Sequence, residues 1–321
     1  MKKIFSTLAL ALCAMAAMAQ DAPQGKPIIT IFGNFHSGLN QEVSDNMGFE
    51  IDRAYLGYQV SLDQNWSAKV VYDMGETALK SDNSPANQRI GFLKNAMVGY
   101  KKGNLSLRAG LTDCEAFTFQ QNFWGYRYVY KSFMDKNGWD NSADLGLVAQ
   151  YKVTDWFGAD LSIFNGEGFK KIQLDDHLSY GLGLTFLPID NLSLRLFYEV
   201  KGDTATQQLA SIFVGYKHER FRVGAEYNIV RNMKNVADMD MDGFSIYATG
   251  ILGPRFEVYA RYDQGATSDN IMHFANAQQE GILGLQWKAN NMFSLSPNLR
   301  CVQTPGNSTD FFGYVSALVK F

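Results

Sequence analysis

Charged side chains that recur at every second position carry most of the chemistry in this sequence. The basic residues on the polar faces of alternating segments are Arg53, Lys69, Arg108, Lys152, Arg195, Lys201, Arg222, Arg255, Arg261 and Arg300. The acidic residues on the same faces are Asp73, Asp144, Asp160, Glu199, Glu226, Glu257 and Asp263. A face that mixes both signs with serine and glycine is typical of a wet lumen. We therefore expect these residues to line an aqueous passage with a small positive excess.

Signals for catalysis or metal binding are weak. The histidines, at positions 36, 177, 218 and 273, show no metal-ligand spacing. Neither a Gly-x-Ser-x-Gly nucleophile elbow nor a phosphate-cradling glycine loop occurs. The segment Asp238 to Gly243 resembles the first half of a calcium loop, but Thr249 stands where a bidentate glutamate is required. A solvated acidic loop is favoured over a weak cation site, and we predict no catalytic residue, no metal ligand and no cofactor.

The segments that position the charges alternate with a period of two. Leu192, Leu194 and Leu196 share one face, and Ser193 and Arg195 share the other. Such segments run to about ten residues, the length that a tilted strand needs to cross a bilayer. Sixteen are predicted, at 27–38, 49–62, 66–76, 89–101, 104–114, 142–153, 156–165, 177–187, 191–201, 207–217, 220–231, 243–252, 255–264, 280–288, 292–302 and 310–321. The fold class is thus all-β, a transmembrane antiparallel β-barrel of about 16 strands.

The connections alternate between short turns and long polar loops, as in bacterial outer-membrane barrels, whose short turns face the periplasm. The long ones include 77–88, 115–141, 166–176, 232–242 and 265–279. The last segment is apolar at every second position and finishes on the aromatic Phe321. This end is the mark by which we expect the barrel assembly machinery to recognise the chain. Closing the last strand onto the first would leave no sheet edge in lipid.

The first residues predict export from the cytoplasm. Lys2 and Lys3 precede a short apolar run that ends in a small-x-small cleavage site at Ala17 to Ala19. We expect residues 1–19 to be a signal peptide and 20–321 to be an outer-membrane β-barrel with long extracellular loops. A lipoprotein anchored at Cys13 is disfavoured, because Leu12 stands where a lipobox has a small residue.

The composition of the mature chain narrows the function. Without Lys2 and Lys3 it has 27 basic and 32 acidic residues, a net charge of −5. An acidic balance argues against a nucleic-acid partner. Lipid and lipopolysaccharide are the expected surroundings of such a barrel. Cys114 and Cys301 lie far apart in sequence and favour two unpaired thiols over a disulfide.

The segment 115–141 is unusually aromatic for a connection. It carries Phe117, Phe119, Phe123, Trp124, Tyr126, Tyr128 and Tyr130 together with Arg127 and Lys131. Exposed apolar surface of that size needs cover. Two arrangements stay open: the segment folds into the barrel and presents Arg127 and Lys131 to the water path, or it covers the barrel mouth or packs on a neighbouring subunit.

Several short motifs resemble the phosphate-selective porin O and P family. They are Phe49 to Tyr58, Trp66 to Lys69, Tyr72 and Asp73, Leu93 to Tyr100, Leu107 to Gly110 and Phe164 to Gly168. The resemblance covers about 50–170 and implies a sixteen-stranded, trimeric channel with a basic lumen. The family's arginine and lysine ladder is here interleaved with carboxylates. This departure favours a mild anion preference over phosphate specificity.

These observations together predict a passive diffusion porin for small hydrophilic solutes and anions, not an enzyme. A barrel of 16 to 18 strands leaves an aqueous channel. Two alternatives remain: a plugged surface receptor or adhesion barrel, with 115–141 as the plug, and an outer-membrane hydrolase that uses serine and histidine on the barrel wall.

Overall fold

Sixteen antiparallel strands close into a barrel in the computed structural model, which describes residues 24–81, 84–202, 205–268 and 278–321. The strands are β1 (Gln24–Gly38), β2 (Met47–Ser61), β3 (Trp66–Ser81), β4 (Ser84–Lys102), β5 (Leu105–Asp113), β6 (Ala143–Lys152), β7 (Phe157–Phe164), β8 (Ser179–Phe186), β9 (Leu192–Lys201), β10 (Gln207–Lys217), β11 (Phe221–Arg231), β12 (Asp240–Ile251), β13 (Phe256–Ser268), β14 (Gln278–Lys288), β15 (Phe293–Gln303) and β16 (Thr309–Lys320). Each strand pairs with its neighbours in sequence, and the predicted fold class is confirmed.

The hairpin between β3 and β4 differs from the prediction. The sequence placed a long loop at 77–88, but the two strands stay paired as far as Ser81 and Ser84. Similarly, β13 continues to Ser268, into the predicted loop 265–279. Backbone pairing needs no apolar face, so strands continue past the point where alternation stops. The predicted signal peptide, 1–19, lies outside the described residues.

The barrel closes between its first and last strands. β1 and β16 pair from Thr30 and Lys320 to Gly38 and Phe312. The backbone N–H of Phe321 adds a 2.9 Å hydrogen bond to the carbonyl of Ile29. Closure gives the edge strands the hydrogen-bond partners that lipid cannot supply.

The outward face of the barrel is apolar and carries aromatic rings near the rim formed by the short turns. Trp66 and Tyr100, opposite each other on β3 and β4, have ring centroids 4.8 Å apart. The rings of Phe157 and Phe186 stack at 5.0 Å on β7 and β8. Amphipathic rings at this height suit the interface between hydrocarbon and headgroups.

Two short helices, α1 (Thr118–Trp124) and α2 (Phe133–Asn137), lie in the connection between β5 and β6. Two 3-10 turns, Gln41–Val43 and Met233–Asn235, lie at the rim formed by the long loops. Among the described residues, no helix has the length and apolar character needed to span a membrane.

Candidate functional site

The interior of the barrel is the candidate site, and the connection between β5 and β6 occupies part of it. This connection, residues 114–142, is called the inner loop below. Gly125 and Gly138 end its two helices in the left-handed region, at φ +78° and +64°. Residues that carry a side chain rarely adopt this backbone conformation, so glycine is the residue suited to turning the chain there.

Aromatic packing attaches the inner loop to the wall. The Trp124 ring lies 5.1 Å from Tyr247 of β12, and the Tyr126 ring lies 4.3 Å from Tyr259 of β13. All four side chains are buried. Burying one large apolar side chain stabilises by about 1.5–3 kcal/mol. The inner loop is therefore folded into the barrel and is not a cover over its mouth.

Three alternate tyrosines of the inner loop donate hydrogen bonds to the wall. The Tyr126 hydroxyl donates to Glu257 at 2.6 Å, and the Tyr128 hydroxyl donates to Gln286 at 2.8 Å. Tyr130 donates to Glu280. Burial raises the pKa of each tyrosine above its ordinary value, so the hydroxyls stay protonated and keep donating.

Four of the arginines that the sequence placed in the lumen donate to backbone carbonyls of the inner loop. Arg195 reaches Glu115 at 3.1 Å, and Arg222 reaches Trp124 at 3.0 Å. Arg261 reaches Lys131 and Arg300 reaches Val129, both at 2.8 Å. These side chains point into the barrel, and the inner loop lies over them. The side chain of Arg261 is 1% exposed, so it lies under the loop and not on open water.

The other predicted site residues fall into three groups. Arg53 pairs with Asp73 at 2.7 Å, Lys69 with Asp113 at 3.0 Å, and Arg108 with Glu115, all inside the barrel. Arg127 and Lys131 lie on the inner loop, 3.0 and 4.0 Å from Asp135. Lys152, Lys201 and Arg255 lie at the rims: Lys152 pairs with Asp155, Lys201 ends β9, and Arg255 is exposed in the turn before β13.

A cavity, called the passage below, lies between the inner loop and the wall formed by β16 and β1 to β5. The cavity there measures about 480 Å³. Its charged lining residues are Lys69, Lys94, Arg127, Lys320 and Asp113. Among the described residues, four cations and one carboxylate thus line the cavity, and the carboxylate is already paired with Lys69.

Charged residues outside the lining also lie near the passage, and Lys131 is one of them. Burial lowers the pKa of Lys131, and Asp135 opposes that effect. The nearby positive charges of Arg127, Arg53 and Lys170 lower the pKa of Lys131 further. The lowered pKa of Lys131 thus reflects burial first, and the three neighbouring cations add to the effect.

Sequence reasoning missed Lys94, Lys170 and Lys320. Lys94 lies in a bulge of β4. Its neighbours Asn95 and Leu93 pair with the consecutive β3 residues Val71 and Tyr72, so Lys94 has no partner in the register. A bulge inserts one unpaired residue and shifts the alternation. The ammonium group lies 5.0 Å from the ring of the inward-facing Tyr55. Lys320 was detectable, because it continues the polar face of β16.

The acidic motif near β12 has structural partners. Asp240 pairs with Arg231 and accepts a 3.1 Å hydrogen bond from the backbone of Asn232. Asp242 accepts a 2.8 Å hydrogen bond from Tyr227. In the described part of the chain, no group of three or more histidine, cysteine or acidic residues could hold a metal ion. Cys114 and Cys301 are both free thiols, as predicted.

A closed sixteen-stranded barrel with an apolar outer face, a charged lumen and an infolded loop defines an outer-membrane channel. The sequence pattern of the Gram-negative porin family matches residues 6–296, and the chain belongs to that family. None of the curated protein sequences compared with it matches.

Solved porin structures share the fold at low sequence identity. OmpF of Salmonella typhi, in complex with daunomycin, is 10% identical with a TM-score of 0.72, over 94% of this chain and 99% of that one. An anion-selective porin from Comamonas acidovorans is 12% identical with a TM-score of 0.68, over 93% and 100%. OprB of Pseudomonas putida is 11% identical with a TM-score of 0.68, over 95% and 96%. At such identities the likeness concerns the fold alone.

Proposed function

We propose that this porin is a passive diffusion channel for small hydrophilic solutes with a mild preference for anions. The observation that carries the proposal is the charge of the residues that line the passage. Among the described residues these are the cations Lys69, Lys94, Arg127 and Lys320 and the one carboxylate of Asp113. Charges that line a narrow passage act on a passing ion more strongly than distant charges, which salt screens over about 10 Å at 0.1 M. The lining therefore outweighs the net charge of −5 on the mature chain.

Several carboxylates of the barrel wall lie outside the passage lining and are neutralised by basic partners. Asp160, Glu257 and Asp263 are buried and paired with Arg195, Lys288 and Arg261. A carboxylate neutralised at contact distance contributes little net field along the water path. This arrangement gives an acidic protein a positive lumen, and it favours chloride over potassium.

A planar-bilayer recording tests the proposal. In a potassium chloride gradient we expect a reversal potential that favours chloride. Lys94→Gln should weaken the preference, and Lys94→Glu should weaken it further or invert it. Lys102→Gln is the matched control, because Lys102 is exposed at the end of β4, outside the passage. Cation preference in the native protein would refute the proposal.

Among the anions, phosphate is the candidate for a specific solute. It is supported by the resemblance to phosphate-selective porins and by the cations that line the passage. Arg127 offers a planar guanidinium, which matches phosphate oxygens in a bidentate manner. Inorganic phosphate added to one chamber should reduce the chloride current if it binds in the passage. Sulfate at equal ionic strength separates specific binding from screening.

The plugged receptor is the alternative that one observation favours, because the inner loop fills the side of the lumen between β9 and β15. Its side chains pack on Phe213, Tyr247 and Tyr259. The cavity beside the loop argues for flow past the plug. A purified barrel that conducts no ions, but does so after deletion of 116–140, would support the receptor. The hydrolase alternative has no such support.

A homotrimer in lipopolysaccharide-containing membrane is the proposed assembly, with short turns toward the periplasm and Phe321 read by the barrel assembly machinery. OmpT of Vibrio cholerae, 11% identical with a TM-score of 0.62, has been solved in a trimer form. Cross-linking in native membranes should give a species three times the monomer mass that dissociates on boiling.

A further inference from the structure

Three wall arginines share one mode of contact with the inner loop. Arg222, Arg261 and Arg300 project from β11, β13 and β15. Each donates a hydrogen bond of 2.8 to 3.0 Å to a backbone carbonyl within the loop segment 124–131. A carbonyl fixes the position of the loop backbone whatever its side chains are.

Each of these arginines also stacks on an aromatic ring of the same segment. The guanidinium carbon of Arg222 lies 4.8 Å from the Tyr126 ring centroid, and that of Arg261 lies 5.1 Å from Trp124. Arg300 lies 5.2 Å from Tyr130. A planar guanidinium stacks on a ring and still donates from its edge, which a lysine ammonium does not do.

The charges of these arginines have little access to the passage. Both Nε and Nη2 of Arg261 donate to Asp263, at 2.7 and 2.6 Å. Arg222 lies 4.0 Å from Glu257, and Arg300 is covered by the Tyr314 ring at 3.5 Å. An ion in the passage therefore meets the inner loop before it meets these groups.

From this geometry we propose that Arg222, Arg261 and Arg300 are positioning residues that hold the inner loop and so set the bore of the channel. Their charges do not select the ion. The inference rests on the proposed channel function and deepens it, because it divides the inward basic residues by role. Lys94, Arg127 and Lys320 act on the ion, and the three arginines act on the loop.

Paired substitutions separate the planar group from its charge. Arg222 and Arg261 are each replaced by Lys, which keeps the charge, and by Gln, which removes it. If the arginines position the loop, both replacements raise open-channel current noise several-fold, and both leave the reversal potential unchanged. If they select ions, the Lys variants behave as native and only the Gln variants lose anion preference. The proposal is overturned if only the Gln variants change, or if the current noise of all four variants stays at the native level.

A substitution on the loop side tests the same contact without altering any charge. A Cβ at Gly125 would lie 3.0 Å from Nη2 of Arg222, whereas a Cβ at Gly138 meets no described atom within 4 Å. Both glycines have positive φ, so alanine strains the backbone at either place. We expect Gly125→Ala to raise current noise and Gly138→Ala to leave it near native. Equal noise in the two variants would assign the effect to backbone strain and overturn the proposal.

Hydrogen exchange in detergent gives a readout that needs no current. Arg261→Lys and Arg261→Gln should each speed amide exchange in 124–133 by tenfold or more, while strands β1 to β4 exchange at the native rate. Native exchange in that segment would contradict the positioning role. If the native protein conducts no ions, the proposed channel function is wrong. The exchange experiment still tests whether Arg261 holds the inner loop in place. Heat-dependent gel migration verifies that each variant is a folded barrel.

Discussion

Arg127 and Asp135 of the inner loop form an ion pair, with Nη2 and Oδ2 3.0 Å apart. The same carboxylate lies 4.0 Å from the ammonium group of Lys131. One acidic side chain thus faces two of the cations that the sequence assigned to the water path. Asp135 therefore partly neutralises the two cations of the inner loop, and the strength of the positive field near the passage depends on this carboxylate.

Replacing Asp135 by asparagine should strengthen the anion preference. Two cations lose their carboxylate partner, and the loop segment gains a net positive charge near the passage. The reversal potential in a potassium chloride gradient should move further toward the chloride value. Asp45→Asn removes an equal charge from an exposed position near the barrel mouth and serves as the control. A shift of equal size in both variants would mean that net charge, not position, governs selectivity.

The anion preference should rise as the pH falls below neutral. Burial raises the pKa of Asp140 above its ordinary value of 3.8, Lys201 and a backbone hydrogen bond oppose the shift, and Asp144 adds to it. The folded protein thus favours the neutral carboxyl, whose stabilising contribution is present at low pH and lost as the pH rises through the raised pKa. Glu199 also faces this cluster.

Reversal potentials between pH 7 and pH 4 measure the effect. Asp140 lines the loop-side pocket with Lys201, and because its pKa is raised to about 6 we expect it to lose its negative charge in that interval. In Asp140→Asn, the upper part of the pH dependence should disappear. The variant at pH 7 should resemble the native channel at the lower pH. An unchanged titration in Asp140→Asn would show that other carboxyl groups cause the response.

A charge on the outward face should destabilise the barrel according to its depth. Ile212 lies at the middle of β10, points outward and is 52% exposed. Arginine at the bilayer midplane costs about 2–4 kcal/mol, falling to about 0–1 kcal/mol near the interface. Ile212→Arg should therefore lower the free energy of unfolding in lipid vesicles by about 2–4 kcal/mol. Gln208→Arg, on the same face near the strand end, is the depth control. Equal losses at both positions would contradict the assigned membrane belt.

The sequence predicted the barrel well because alternation reports directly which face meets lipid. It failed where the backbone breaks the alternation. In β2, Arg53 lies opposite Phe32 and Ile51 lies opposite Gly33, so Asp52 is an extra residue. Asp52 then points inward and accepts a 2.9 Å hydrogen bond from Asn34. Strict alternation would place it on the outward face, beside Ala54.

The roles of the wall arginines depend on contacts that a sequence does not encode locally. Arg261 and Lys131 are 130 positions apart, and the accepting group is a backbone carbonyl that every residue has. The aromatic content of the inner loop indicated that it needs cover. It did not indicate which side of the lumen the loop would occupy, so the basic residues on the covered side were assigned to the passage.

The orientation of the barrel can be tested with single cysteines in a background lacking Cys114 and Cys301. Ile172 lies in the long connection between β7 and β8 and is 79% exposed, and Ile189 lies in the short turn between β8 and β9 and is 63% exposed. Long loops face outward from the cell in bacterial barrels. Ile172→Cys should therefore react with a thiol reagent too large for the passage on intact cells. Ile189→Cys should react only after the outer membrane is broken. The two residues are matched in type and in high exposure, so a reversed pattern of labelling would place the long loops in the periplasm.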